Sequence, residues 1–342
     1  MNEKKFDLIT FGRSSIDLYS QNIGADFIDI KGFDAFVGGS PLNIAVGASR
    51  LGAKVSLLTG IGNDKVGDFI INFLKNQDVD TDTIARIEGA RSSAVVLGIE
   101  PPDRFPLVYY RDNAADSQVT IDHVIAAKID QYKILEISAT ALNIEPSRSA
   151  VFYAVETAFD NNVEVVLDMD FRADQWKDLR SFGLMVRAIL PKVKIAIGTE
   201  EEILAATLQN ADQVHISHQQ ISAPEIKGDI EISIQKIIKS GPDLLIVKRG
   251  SKGATIYYKD GRVQDVPGFP VEILNVLGAG DAFASGFIYG YLQGWDVYKA
   301  CRLGNASGAW VVQKSGCANA MPYNDELMKF IESRGGLIPG DK

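Results

Sequence analysis

Apolar and polar positions along the chain follow two alternating periods. FDLITF from Phe6, KVSLLTGIG from Lys54, KILEIS from Lys133, VEVVLDMD from Val163, KIAIG from Lys194 and DLLIVKRG from Asp243 read as short buried strands. Between them the spacing turns helical. DKVGDFIINFLKNQ puts Val66, Phe69, Ile70, Phe73 and Leu74 on one face, and SRSAVFYAVETAFDNN and EEEILAATL continue the rhythm. In GGSPLNIAVGASRLG, Ser40 suits an N-cap, Pro41 the first helical position and Gly52 a stop. Strands separated by helices predict an α/β domain with a mostly parallel central sheet, helices on both faces, and ligands beyond the strand carboxyl ends.

Two stretches break the alternation. SSAVVLGIE and PLVYYR, around a turn at Pro101 and Pro102, read as strands of a small separate sheet, with lid strands drawn from about residues 12–38 and 91–112. ATIYYKDGRVQDV reads as a hairpin with an Asp-Gly turn, and two helices, one from Asp281 and one across YKACRLGNASGAWVVQ, close the domain. The polar stretch QNADQVHISHQQISAPEIKGD reads as a surface insertion, in which His215 and His218 are solvated residues rather than a metal pair. One domain is expected over residues 1–335, with 336–342 a C-terminal tail.

Composition narrows the partners. The 342 residues are 46% hydrophobic and 23% charged, enough for a large core, and the formal charge of -9 argues against nucleic acid or an anionic membrane as partner. Cys301 and Cys317 are too few for a disulfide framework and are expected reduced. No signal peptide or membrane span is visible, so the expected location is the cytoplasm. Neither GxxxxGK[ST] nor GxGxxG nor the HRD and DFG pair of protein kinases is present.

NVLGAGDAFASGF holds the candidate chemistry. Phe283, Phe287 and Tyr291 follow Asp281 at four-residue spacing, so the aspartate opens a helix. As a cap it would accept free backbone N–H groups. The glycines ahead of it also admit a second reading, in which bare amides at a helix start receive an anion.

GGSPLNIAVGASRLG, the later GIGNDKVG and NVLGAGDAFASGF resemble, in order, separation and context, the signature regions of the ribokinase-like carbohydrate kinases of phosphofructokinase B type. The resemblance spans roughly residues 6–330. It implies ATP-dependent sugar phosphorylation: Gly278, Ala279 and Gly280 hold the charge developing on the transferred phosphoryl group, and Asp281 takes the proton of the sugar hydroxyl. It places sugar contacts on Asp17, Gly38, Gly39 and Asn43. In KRGSKGATIY it puts Lys248, Gly250 and Gly253 at the nucleotide, with Asn305 near the adenine.

YYR and DMDFRADQW resemble the branch that phosphorylates sugar acids, which implies Tyr109, Arg111 and Arg172 as ligands of a carboxylate, a task suited to arginine forks. Within that branch the GTEEE and NVLGAGDAF forms imply 5-dehydro-2-deoxy-D-gluconate of inositol catabolism as substrate. The alternatives are 2-keto-3-deoxygluconate, another sugar of the family, or a binding protein without catalysis. Asp170 stands where this branch often has asparagine. ATP implies Mg2+, and Glu201 is the residue expected to organise it through water, although Gly198 replaces the usual asparagine of that motif. Asn275 and Val276 replace the usual Asp-Thr, which leaves a monovalent cation open. The family's habit of pairing through small sheets implies a homodimer.

Overall fold

The computed structural model describes residues 4–100, 105–215 and 225–338. The Pro101–Pro102 turn, His218 and the end of the tail lie outside the described residues. In chain order the strands are β1 (Phe6–Phe11), β2 (Ser15–Ser20), β3 (Phe33–Gly38), β4 (Val55–Gly62), β5 (Ile84–Ile87), β6 (Ser93–Leu97), β7 (Leu107–Tyr110), β8 (Tyr132–Ser138), β9 (Glu164–Asp168), β10 (Ile195–Thr199), β11 (Val214–His215), β12 (Glu225–Ile226), β13 (Leu244–Lys248), β14 (Ala254–Tyr258) and β15 (Val263–Val266). The helices are α1 (Ser40–Leu51), α2 (Lys65–Lys75), α3 (Ile121–Ala127), α4 (Ser147–Asp160), α5 (Leu179–Ile189), α6 (Glu200–Ala206), α7 (Ile230–Lys239), α8 (Ala279–Leu292), α9 (Val297–Val311) and α10 (Asn324–Glu332).

Nine strands form the main sheet in the order β15-β14-β13-β10-β9-β8-β1-β4-β5, parallel from β13 to β5, with β14 and β15 added as an antiparallel edge. Because side chains alternate along a strand, one residue set packs on each face. Leu8, Leu57, Ile134, Val166 and Ile246 meet α1, α2, α8 and α9, whereas Ile9, Leu58, Leu135, Leu167 and Leu245 meet α3 to α7. All eight residues of β4 are buried, which explains why its sequence runs apolar without alternation.

The small sheet has the order β3-β2-β6-β7, with β2 parallel to β6 and the outer pairs antiparallel. Its inner side chains, Tyr19, Val95, Leu97, Ile99 and Phe105, form a separate cluster with Cys317. On its outer side Val108 and Tyr110 are exposed, and in the turn between β2 and β3 Ile28 is 90% exposed.

Several local details differ from the sequence reading. Gly39, not Ser40, is the N-cap of α1, and α8 begins at Ala279, so Asp281 is its third residue. Helices α3, α5, α7 and α10 were not marked by the spacing read above. In α2 the buried face is carried by Gly67, Ile70 and Leu74, while Phe69 is 39% exposed. Helices α1 and α8 cross closely: a Cβ on Gly47 would fall on Ser285 Oγ and lie 2.7 Å from Ser285 Cβ. That glycine permits the approach.

Candidate active site

Parallel strands end together at the carboxyl edge of the main sheet, and a cavity of about 650 Å³ opens there. Strand β9 ends in Asp168 and β13 in Lys248, and both line the cavity. The first turn of α8 closes one wall with Gly278, Ala279, Gly280 and Asp281.

Gly278 sits at φ +75° as the α8 cap, and a Cβ there would lie 2.9 Å from Cys317 Sγ, so both conformation and space favour glycine. Asn275 holds the approach: its side chain accepts from Leu277 N at 2.9 Å and donates to the Lys314 carbonyl. The Ala279 amide turns back to Val276 O at 3.3 Å. The remaining first-turn amides belong to the set that helix geometry leaves without an intrahelical acceptor. An anion at this wall meets them together with the positive end of α8.

Asp281 accepts a 2.7 Å hydrogen bond from Asn43 Nδ2, a residue on the first turn of α1. Burial pushes the Asp281 carboxyl up from its usual range, Asp170 pushes the same way, and Asn43, Arg172 and Lys248 pull it back. The outcome is a carboxylate more basic than an ordinary aspartate.

Asp17, on β2, feels that negative charge as well. Burial raises its pKa first, Arg13 and the Ser15 hydroxyl lower it, and Asp281 raises it again. Ser15 Oγ donates to Asp17 Oδ1 at 2.6 Å. Gly38 faces this carboxylate so closely that an added Cβ would overlap Asp17 Oδ2. Gly39, at φ +115°, presses in the same way on the Arg13 carbonyl. Asp17, Gly38, Gly39 and Asn43 thus form a connected shelf beside Asp281, just outside the cavity lining.

Charged side chains occupy the next wall. Arg172 lines the cavity with Nη2 2.7 Å from Asp170 Oδ1, and Tyr109 lines it from β7. Asp170 adopts φ 26°, accepts from Ser138 Oγ at 2.8 Å, and is held low against the upward push of burial by Arg172 and that hydroxyl. Lys248 Nζ lies 3.2 Å from Asp168 Oδ1 and 3.7 Å from Glu202 Oε2. Burial drives the Asp168 pKa up to about 7, with Glu202 and Asp170 adding to it against Lys248. Lys248 stays charged because Asp168 and Glu202 outweigh its own desolvation.

On the far side Gly250 and Gly253 line the cavity at φ +56° and +92°, and Asn305 donates to the carbonyls of Val266 and Pro267 at 3.1 and 3.0 Å, holding that loop in place.

Two expected residues stand elsewhere. Arg111 is not in the lining: its Nη2 lies 2.6 Å from Asp116, in the turn of residues 115–118, and its Nη1 reaches Gln175 Oε1 at 2.6 Å. Glu201 is exposed, whereas Glu202, one position on, closes a capping box with Thr199 and turns inward to the cavity. The sequence reading also passed over Arg13 and Asp168. Both stand at or just past the end of a parallel strand, where this architecture puts ligands, and that was the available signal. Among the described residues no group of three or more His, Cys, Asp and Glu forms a ready metal cage, and no helix is long and apolar enough to cross a membrane.

A doubly covered parallel sheet with a glycine-led helix start, an oriented aspartate and a small sheet at the cavity is an arrangement suited to phosphoryl transfer. The chain belongs to the pfkB family of carbohydrate kinases, whose family description matches residues 5–324, and it is an enzyme that phosphorylates a sugar. It is 34% identical over 333 residues to a 5-dehydro-2-deoxygluconokinase of Clostridium tetani (strain Massachusetts / E88), covering 97% of this chain and 94% of the relative. A 5-dehydro-2-deoxygluconokinase of Bacillus thuringiensis (strain Al Hakam) is also 34% identical, over 98% of both chains. The fold is shared with a fructokinase with bound ATP from Xylella fastidiosa, at a TM-score of 0.82, 23% identity and coverage of 96% of this chain and 99% of that one.

Proposed function

We infer that the enzyme transfers the γ-phosphoryl group of ATP to the terminal hydroxyl of 5-dehydro-2-deoxy-D-gluconate, giving the 6-phosphate within inositol catabolism. The observation that carries the reading is Asp281, raised in basicity and held by Asn43 at 2.7 Å beside the amide-lined start of α8. Relatives at 34% identity over nearly the whole chain support the substrate.

In this reading the hydroxyl proton passes to Asp281, the freed oxygen forms its bond to the γ-phosphorus, and the bond from that phosphorus to the bridging oxygen breaks to leave ADP. The first-turn amides of α8 and Lys248 meet the charge that builds on the equatorial oxygens. Gly250, Gly253 and Asn305 shape the nucleotide side. Mg2+, when bound, neutralises phosphate charge; Asp168 and Glu202, carboxylates on the cavity wall, suit an ion held mainly by phosphate oxygens and water. Of the two neighbouring glutamates, Glu202 faces the cavity and takes the place first given to Glu201.

The small sheet acts as a lid, since Tyr109, Leu107 and Phe105 reach the cavity from it and closure over the sugar excludes water from the transfer. Its exposed outer residues Val108 and Tyr110 support a homodimer formed through the lids. An ATP-dependent metabolic enzyme of this kind belongs in the cytoplasm.

An ADP-release assay across sugar acids and neutral sugars tests the reading. Highest kcat/KM is expected with 5-dehydro-2-deoxygluconate. Faster turnover of 2-keto-3-deoxygluconate reassigns the enzyme within the sugar-acid branch, fastest turnover of fructose or ribose removes the sugar-acid reading, and binding without turnover makes the protein a receptor.

A further inference from the structure

Acidic groups crowd the acceptor end of the site. Asp17, Asp170 and Asp281 act on one another through space, and an acceptor that is itself an anion needs a cation that these carboxylates have not already claimed. Arg172 is committed to Asp170 at 2.7 Å and Arg111 to Asp116 at 2.6 Å. Arg13 is different.

Arg13 follows β1, at the carboxyl edge of the sheet, and is only 8% exposed. Its backbone is pinned because the Gly39 turn packs against its carbonyl. Its guanidinium carbon lies 5.2 Å from the ring centre of Tyr109, which lines the cavity. Nη1 donates to Ser15 Oγ at 2.6 Å, and that hydroxyl donates to Asp17 Oδ1 at 2.6 Å. Among the described residues no carboxylate forms an ion pair with Arg13; Nε and Nη2 take no protein acceptor, and neither is sealed away from solvent. Asp17, Asp170 and Asp116 act on it only at longer range. Buried cations are normally paired, so a guanidinium with two unspent donors beside the sugar shelf is a half-built ion pair.

We propose that Arg13 is a specificity-determining residue that receives the acid group of the acceptor, its free N–H donors pairing with the substrate carboxylate while Nη1 fixes Asp17 through Ser15. The proposal rests on the sugar-acid reading above. The Tyr109 ring lies 5.2 Å from the guanidinium carbon, within cation–π reach, and the fork geometry suits two carboxylate oxygens. A neutral sugar leaves that fork unpaired, so the enzyme discriminates by charge at this point.

The test compares Arg13→Gln, Arg13→Lys and Arg111→Gln with the unaltered enzyme, using 5-dehydro-2-deoxygluconate, 2-keto-3-deoxygluconate and fructose as acceptors. Hydrogen bonds to charged groups correspond to about 10- to 150-fold in affinity. In Arg13→Gln the ratio of the sugar-acid KM to the fructose KM therefore rises by a factor in that range, and the sugar acids lose their protection against thermal unfolding. Arg13→Lys keeps the charge without the fork and falls between the two; should the glutamine variant fail to fold, a several-fold rise in the same ratio for lysine carries the result. The proposal is overturned if Arg13→Gln raises both KM values alike, or if Arg111→Gln alone abolishes the preference for acids. If the unaltered enzyme shows no preference for acids, the sugar-acid reading falls first; if it does and Arg13→Gln retains it, only the role of Arg13 falls.

Discussion

Replacing Gly38 with alanine adds a single methyl group, and the structure states where that methyl goes. It overlaps Asp17 Oδ2 and lies 2.8 Å from Oδ1, although the Gly38 backbone itself is not in the left-handed region and accepts alanine without strain. The whole cost thus falls on the Asp17 carboxylate, which must retreat by roughly 1.5 Å to reach ordinary van der Waals separation. Retreat breaks the 2.6 Å bond from Ser15 and misaligns the carboxylate proposed to accept the sugar hydroxyls. A charged hydrogen bond contributes about 1.5–3 kcal/mol, and a shift of about 1 Å in a positioning group costs on the order of 100-fold, so kcat/KM for the acceptor should fall about 10- to 150-fold. KM for ATP should stay within about threefold, because Gly38 is not part of the cavity wall on the nucleotide side. A double-mutant cycle in the ADP-release assay decides the cause: with Asp17→Ala already present, Gly38→Ala should add almost nothing. Full additivity of the two changes, or an acceptor KM that Gly38→Ala leaves unaltered, refutes the account.

Asp281→Asn keeps the shape and the contact region of Asn43 but removes the proposed proton acceptor, so kcat should drop by about 10²- to 10⁴-fold with acceptor KM changed only a few-fold; a kcat within tenfold of the parent rules out the base assignment. Lys248→Met leaves Asp168 and Glu202 without their cation, at a cost of about 3–5 kcal/mol typical of a broken buried pair, and calorimetry should show a lower Tm that Asp168→Asn partly restores; an unchanged Tm refutes it. Glu136 is fully buried on β8 with both carboxylate oxygens unpartnered, and burial, reinforced by Asp168 and Asp281, pushes its pKa well above the ordinary 4.5. A raised folded value means that stability is intact below the unfolded pKa and is lost as pH climbs toward the folded one. Glu136→Gln removes that loss, so its Tm gain should grow between pH 5 and pH 8, and a gain independent of pH would contradict the sign.

What could be read from the chain alone, and what could not, follows from the range of the forces involved. Apart from the short edge strand β5, which no pattern marks, the strands of the main sheet and helices α1, α4, α8 and α9 announce themselves through local periodicity and through glycines at their ends, and so does the amide-lined wall at Gly278 to Gly280. Helix α5 carries Phe182, Val186 and Ile189 as a clean buried face, yet it follows an irregular turn and was passed over. The placement of Arg111 was out of reach, because nothing near it in sequence pattern reveals that Asp116 will claim it. Glu201 against Glu202 is a matter of helix phase: only once Thr199 is the cap does the third helical position, not the second, fold back into the site. Asp168 and Lys248 attract each other across eighty positions of chain, and only the adjacency of β9, β10 and β13 brings them together.

The close crossing of α1 and α8 has a bearing on how such an enzyme changes its diet. Asn43 stands one turn before Gly47, and Asp281 one turn before Ser285, so the amide that orients the proposed base and that carboxylate itself ride on two rods wedged together immediately beneath them. Any bulk introduced at Gly47 would pry that couple apart and spoil every acceptor equally. Descent toward a new sugar therefore runs through the β1–β2 connection and the small sheet, which can drift while the chemical couple stays locked.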